Sequence, residues 1–131
     1  MDVILSIKPK YTKKIIKGKK KYEFRRKIFK NKNVRYAIIY SSSPDKKIIG
    51  YFIIGSIISK EPKDLWAELK KESGISKKEF FSYFKDSEIG YAIKITDLQL
   101  LSQPRAFNEI CLGSRPPQSY MYVDNLLTLT G

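Results

Sequence analysis

The sequence predicts one α+β domain: a small β-barrel of five to six mostly antiparallel strands, flanked by two to four short helices. Three observations predict it. Apolar segments of strand length recur along the chain, separated by turn residues or by short stretches with helical spacing. The longest of them, Lys47–Ile58, contains Gly50 and Gly55, where a small closed barrel needs bulges or sharp bends. Finally, 131 residues, 42% of them apolar, suffice for one hydrophobic core, and no repeat, low-complexity tract or linker divides them. The domain is expected to span residues 1–123, leaving 124–131 as a tail.

Val3–Ile7 reads as a short buried strand. Pro9 sits where helices start, and Tyr11, Ile15 and Ile16 follow at helical spacing with Lys13, Lys14 and Lys17 on the other side. Gly18 is a natural stop. Lys19–Arg26 then alternates with period two: Tyr22 and Phe24 point one way, Lys21, Glu23 and Arg25 the other. Asn31-Lys32-Asn33 is a turn, and Val34–Tyr40 is apolar on both faces, as a central strand would be. A Ser-Pro loop, Ser41–Asp45, leads to the glycine-bearing strand. Glu61–Glu72 is predicted helical, with Pro62 in its first turn and Leu65 and Leu69 on one face beside Trp66. Gly74 ends it. Ser76 with Glu79 three residues later forms a capping box for a further helix, whose inner face carries Phe80 and Phe84. Ile89–Leu100 returns to strand, Pro104–Leu112 is a turn or short helix, and Ser119–Val123 is a last strand.

Composition excludes several chemistries. The chain has no histidine and a single cysteine, so Ser-His and Cys-His hydrolytic arrangements are excluded and a zinc site is not expected. Cys111 reads as a small, half-buried apolar residue. No metal or other cofactor is expected, and any catalysis has to use Lys, Glu, Asp, Tyr, Ser or Thr. No apolar run reaches the roughly 18 residues a membrane span needs, and the N-terminus lacks the pattern of a signal peptide, so a cytoplasmic location follows by default.

Net charge is +13, and its distribution says more than its total. Residues 1–47 hold 16 Lys and Arg against Asp2, Glu23 and Asp45, whereas residues 48–131 are neutral. A lysine-rich composition alone would not leave the last two-thirds balanced. A field concentrated in this way attracts polyanions, RNA first and DNA as the alternative. The basic segment lacks the long amphipathic helix that a membrane surface would require.

Within that segment, the strand after Gly18 presents a cation, a carboxylate and a guanidinium in a row. Lys20 or Lys21 and Arg25 suit phosphate, and Glu23 suits the N–H edge of a base. The plainer alternative pairs Glu23 with a neighbouring Lys or Arg as an ordinary ion pair. Ser41 and Ser42, after Tyr40 at a strand end, offer hydroxyls and backbone N–H groups to phosphate, or simply form a turn. Tyr22, Tyr40 and Tyr83 lie near basic or polar motifs and are candidates for stacking on bases, although most of the 17 aromatic residues should belong to the core. Lys13, Lys14 and Lys17, with Lys19 and Lys21, form a ramp for a nucleic-acid backbone or a merely solvated face.

The stretch Gly18-Lys19-Lys20-Lys21-Tyr22-Glu23-Phe24-Arg25 resembles the signature of the ASCH family, a branch of the PUA-like superfamily: a glycine, a basic pair, then a strand carrying Thr or Glu and ending in Arg. Ile4–Lys10 looks like the family's opening strand and turn. Tyr40-Ser41-Ser42-Ser43-Pro44 with Gly50 resembles its Y-x-S-x-P…G segment, and Leu65-Trp66, Phe80–Phe84 and Pro116–Tyr120 resemble later landmarks. The resemblance covers residues 1–123. It implies a β-barrel with a cleft beside the first helix and a role linked to RNA; recognition of a modified base in that cleft is a further expectation. Some relatives resemble amidohydrolases acting on N4-acetylcytidine, and others are ribonucleases. In the amidohydrolase pattern Lys20 matches the lysine, Glu23 stands where a Thr is expected, and the helical acid has no secure counterpart: Glu72 is near, but Ser73 stands at the position. The function expected is therefore RNA or nucleotide binding through a basic cleft. A metal-independent hydrolase using Lys20 and Glu23 is the alternative, and an interaction module of a transcription or translation complex is a further one. Oligomeric state is not readable from the sequence.

Overall fold

The computed structural model describes residues 1–124, so the predicted tail from residue 125 onward lies outside the described residues. Six strands form one mixed, mostly antiparallel sheet: β1 (Asp2–Ile7), β2 (Tyr22–Arg25), β3 (Tyr36–Ser41), β4 (Lys47–Lys60), β5 (Gly90–Ala106) and β6 (Tyr120–Val123), in the order β2-β5-β4-β3-β1-β6. The parallel pair is β1 with β3, in register Leu5↔Ile39, and the crossover between them carries α1 (Pro9–Ile16) and β2. Three other helices follow: α2 (Pro62–Leu69), extended by a 3-10 turn at Lys70–Glu72, then α3 (Lys77–Tyr83) and α4 (Phe107–Ile110).

Strand alternation builds the core. In β1, Val3, Leu5 and Ile7 join Ala37, Ile39, Phe52 and Ile93 under α1, while Ile4 points to the other face with Ile38, Tyr40 and Ile48 against α4. Both central strands are therefore apolar on both faces because both faces are covered. A third cluster lies under α2 and α3, where Tyr22 and Phe24 of β2 meet Leu65, Leu69, Phe80 and Phe84. The rings of Phe24 and Phe80 pack edge to face with centroids 5.2 Å apart.

The helix ends follow local chemistry. Pro9 opens α1, and Gly18 at φ 74° closes it, its N–H bonding to the Ile15 carbonyl. The buried stripe of α1 is Thr12 and Ile15, whereas Ile16, expected on that stripe, stays 46% exposed because it falls one residue past it. Ser76 caps α3 as expected, its Oγ accepting from the Glu79 N–H at 3.1 Å. The second half of the predicted capping box does not form. The Glu79 carboxylate instead accepts from Lys10 Nζ and the Tyr11 hydroxyl, tying α3 to α1.

The predicted α+β domain with a small, mostly antiparallel β-barrel is present, its sheet curved into a half-barrel. Among the described residues no ladder joins its two edge strands, β2 and β6. β4 and β5 supply the curvature through three register shifts along their shared ladder. The first lies at Gly50, where an added Cβ would stand 2.3 Å from the Gln99 carbonyl oxygen. The backbones cross too closely there for any side chain. Replacing Gly50 with Ala should lower stability by about 2 kcal/mol through forced separation of β4 and β5, read as a shifted denaturation midpoint with an unchanged m-value. An unaltered midpoint would contradict this origin of the bend.

Candidate functional site

The open side of the half-barrel forms a cleft of about 610 Å³ between β2, the start of α1, α3 and the segment before β6. That volume suits a ligand the size of a nucleoside or nucleotide. Alternation in β2 sends Glu23 and Arg25 towards the cleft while Tyr22 goes into the core under α2 and α3, so Tyr22 offers no stacking surface.

Arg25 is 7% exposed and its two terminal nitrogens are fully used. Nη1 donates to the Ser6 carbonyl at 3.2 Å and to Glu23 Oε2 at 3.0 Å. Nη2 donates to the carbonyl and the hydroxyl of Ser119 at 2.7 and 2.6 Å. The residue predicted as a phosphate ligand is thus the clamp that spans the open side, from β2 to β1 and to the chain entering β6. Glu23 is its ion-pair partner and lines the cleft at 5% exposure.

Period two left open whether Lys20 or Lys21 faces the cleft. Lys20 does, at 3% exposure, and Lys21 is on the surface. Lys20 Nζ donates to the Ser73 carbonyl at 3.3 Å and stands 4.4 Å from the centroid of Phe24 and 5.4 Å from that of Tyr11. Gly74, at φ 69°, lets the chain pass against the Lys20 stem, and a Cβ there would lie 2.5 Å from Lys20 Cβ. Burial lowers the Lys20 pKa to about 8; Glu23 opposes the shift, Lys14 adds to it and Glu79 opposes it.

The remaining predicted residues divide. Tyr40, Ser42 and Tyr83 line the cleft. Burial raises the pKa of both Tyr40 and Tyr83. One face of Tyr83 is taken by the Arg26 guanidinium, 5.2 Å from its centroid. Ser41 is fully buried and turned away from the cleft lining: its hydroxyl bonds to Thr12 and donates to Asp45, fixing the loop that carries Ser42. Lys13, Lys17, Lys19 and Lys21 are exposed and Lys14 half-buried, outside the cleft wall but on α1 and the turn that border it. Among the described residues no group of His, Cys, Asp or Glu is arranged to hold a metal, and Glu23 is the carboxylate of the cleft lining. Cys111 is buried against Phe107 and Ile110, and burial raises its thiol pKa.

Sequence reasoning missed Lys8, Tyr11, Arg26, Gln118 and Ser119, all on the cleft wall. Lys8 and Arg26 lay inside the basic segment and adjoin named motifs, a signal that was available. Ser119 meets Arg25 across 94 residues of sequence, which no local pattern reports.

The ASCH domain model matches residues 5–99 of the chain. The chain belongs to the ASCH domain family. The ASCH domain-containing ribonuclease of Zymomonas mobilis is 28% identical over 124 residues, covering 93% of this chain and 84% of that protein. A crystal structure of ASCH from Zymomonas mobilis superposes with a TM-score of 0.87 at 28% identity, covering 98% of this chain and 92% of the other. The large ribosomal subunit protein uL22 of Ureaplasma parvum is 27% identical over 93 residues, and that match takes in only 29% of the ribosomal protein. The ASCH half-barrel contains no helix long and apolar enough to cross a membrane among its described residues.

The buried amine gives a prediction. In an unfolded chain Lys20 would titrate near 10.5, and in the fold it titrates near 8, so below pH 8 the fold carries the full cost of burying the ammonium, up to roughly 3 kcal/mol. Between about 8 and 10.5 the unfolded chain binds more protons, and stability rises with pH. Lys20→Met should therefore raise stability at pH 7 by about 2 kcal/mol, after loss of the bond to Ser73, and the gain should vanish above pH 10.5. Denaturant melts of both proteins across pH check this, and a destabilised variant at pH 7 would contradict the buried, strained ammonium.

Proposed function

We propose that this ASCH domain acts on RNA, seating one nucleotide of a single strand in the cleft while surface lysines hold the flanking backbone. The observation that carries the reading is a nucleotide-sized cleft with an ion-paired carboxylate and a buried lysine on its wall, bordered by the segment that holds the whole excess charge of the chain. The Zymomonas mobilis relative, an ASCH domain-containing ribonuclease that the match covers over 84% of its length, supports RNA as the partner class. Lys8 and Arg26 at the cleft and Lys13, Lys14, Lys17, Lys19 and Lys21 beside it supply phosphate contacts. Arg26, already over one face of Tyr83, offers its guanidinium to a phosphate or a base at the cleft wall.

The same relative, a ribonuclease by name, favours a second reading, cleavage of the bound strand. The neutral Lys20 amine would take the proton of a ribose 2′-hydroxyl. The 2′-oxygen would bond to the adjacent phosphorus and the 5′-oxygen would leave, taking a proton from water. An amine with a pKa of about 8 suits that role near neutral pH.

Binding of labelled single-stranded RNA, duplex RNA and DNA across a salt series tests the first reading. Single-stranded RNA should bind best, and replacing Lys13, Lys14 and Lys17 together with Gln should reduce the salt slope by about 2. Binding that is absent, or equal for every polyanion, would overturn it. With chelator present, any cleavage should rise with pH through about 8 and be lost in Lys20→Arg; turnover retained in that variant would remove Lys20 from the chemistry.

A further inference from the structure

The polar groups on the cleft wall are unevenly committed. Both terminal nitrogens of Arg25 have two acceptors each, so their four N–H groups are spent. Lys20 Nζ is buried, bonded to Ser73 and covered by two rings. Glu23 differs. Its hydrogen-bond partner among the described residues is Arg25, and only Oε2 is engaged. Every fully buried side-chain nitrogen and oxygen among the described residues has a partner, so Oε1, which has none, is reached by solvent. Glu23 lines the cleft, so Oε1 meets solvent there. The charged group that the cleft wall offers a ligand at this point is therefore an acceptor, with the terminal nitrogens of Arg25 beside it already committed.

A base seated against Oε1 gains most by bringing an N–H. The exocyclic amino group of cytosine or adenine projects beyond the ring and can donate to a carboxylate oxygen, the pairing that Glu makes with cytosine N4. Uracil has one ring N–H, flanked on both sides by carbonyl oxygens. Aiming it at Oε1 brings a carbonyl oxygen towards the carboxylate, two acceptors facing each other with water excluded. We propose that the cleft selects nucleobases bearing an exocyclic amino group, cytosine above uracil, with Glu23 Oε1 as the specificity-determining acceptor; this rests on the RNA reading of the cleft. The carboxylate acts on the base edge, and the surface lysines bind any sequence equally.

The test uses wild-type protein and three labelled RNA homopolymers of about six nucleotides, of cytidine, uridine and N4,N4-dimethylcytidine. Cytidine RNA should bind about tenfold more tightly than uridine RNA, and dimethylation, which removes both amino hydrogens, should erase most of that advantage. Glu23→Gln, whose amide both donates and accepts, should bring cytidine and uridine within about twofold. If that variant does not fold, the three RNAs on wild-type protein decide alone. Equal binding of cytidine and uridine RNA, a preference for uridine, or full retention of affinity on dimethylation would overturn the selectivity while leaving RNA binding in place. Failure of all three RNAs to bind would overturn the RNA reading and the selectivity with it.

Discussion

The half-barrel depends on the Arg25 guanidinium, which reaches from the edge strand β2 across the open side to the Ser6 carbonyl of β1 and to Ser119 before β6. A ladder there would seal the sheet. A planar fork of five N–H groups on a long stem instead joins the two edges at a point and leaves the space around it open. The pairing with Glu23 makes the burial tolerable, because removing one partner of a buried ion pair leaves an uncompensated charge at a cost of about 3–5 kcal/mol. Closure of the fold and shape of the cleft are thus the same contact. It also explains why Arg25, which looks like a phosphate ligand in the sequence, is held in the scaffold, and why Glu23 is the member of that pair with an oxygen left over on the cleft wall.

Lys20 adds a second constraint. Its ammonium is held between two aromatic rings and one carbonyl, with Gly74 clearing space for its stem. The rings and the carbonyl favour the charged amine, but burial outweighs them and shifts the balance towards the neutral form. Natural sequences break local rules of this kind where function requires it, and stability is then supplied elsewhere, here by the three apolar clusters.

Most of the architecture was legible because its signals are local. Pro9 and Gly18 bracket α1, alternation orients β2, and doubly apolar β3 reads as central, all from neighbours within a few residues. The failures share a cause, which is distance. β5 runs to Ala106 rather than ending near Leu100, because the ladder with β4 skips residues 101–104: Gly50 pairs with Leu100 and Ile48 with Arg105. Pro104 sits in that skipped stretch, where no donor is needed, so the rule that proline ends a strand misled the reading. Ser41 was assigned to the cleft with Ser42, but a strand end alone does not say which hydroxyl turns inward to Thr12 and Asp45. Ser119 escaped notice because its partner, Arg25, lies 94 residues away in the sequence.

The proposed function requires the cleft spanned by Arg25, rather than the lysine face of α1, to seat the ligand. Backbone amide shifts of labelled protein, followed by NMR as single-stranded cytidine RNA is added, test this directly. The largest changes should cluster at residues 6–8, 23–26, 40–42, 82–83 and 117–119, with smaller ones along 13–21. Changes confined to 13–21, with the cleft residues unmoved, would contradict it.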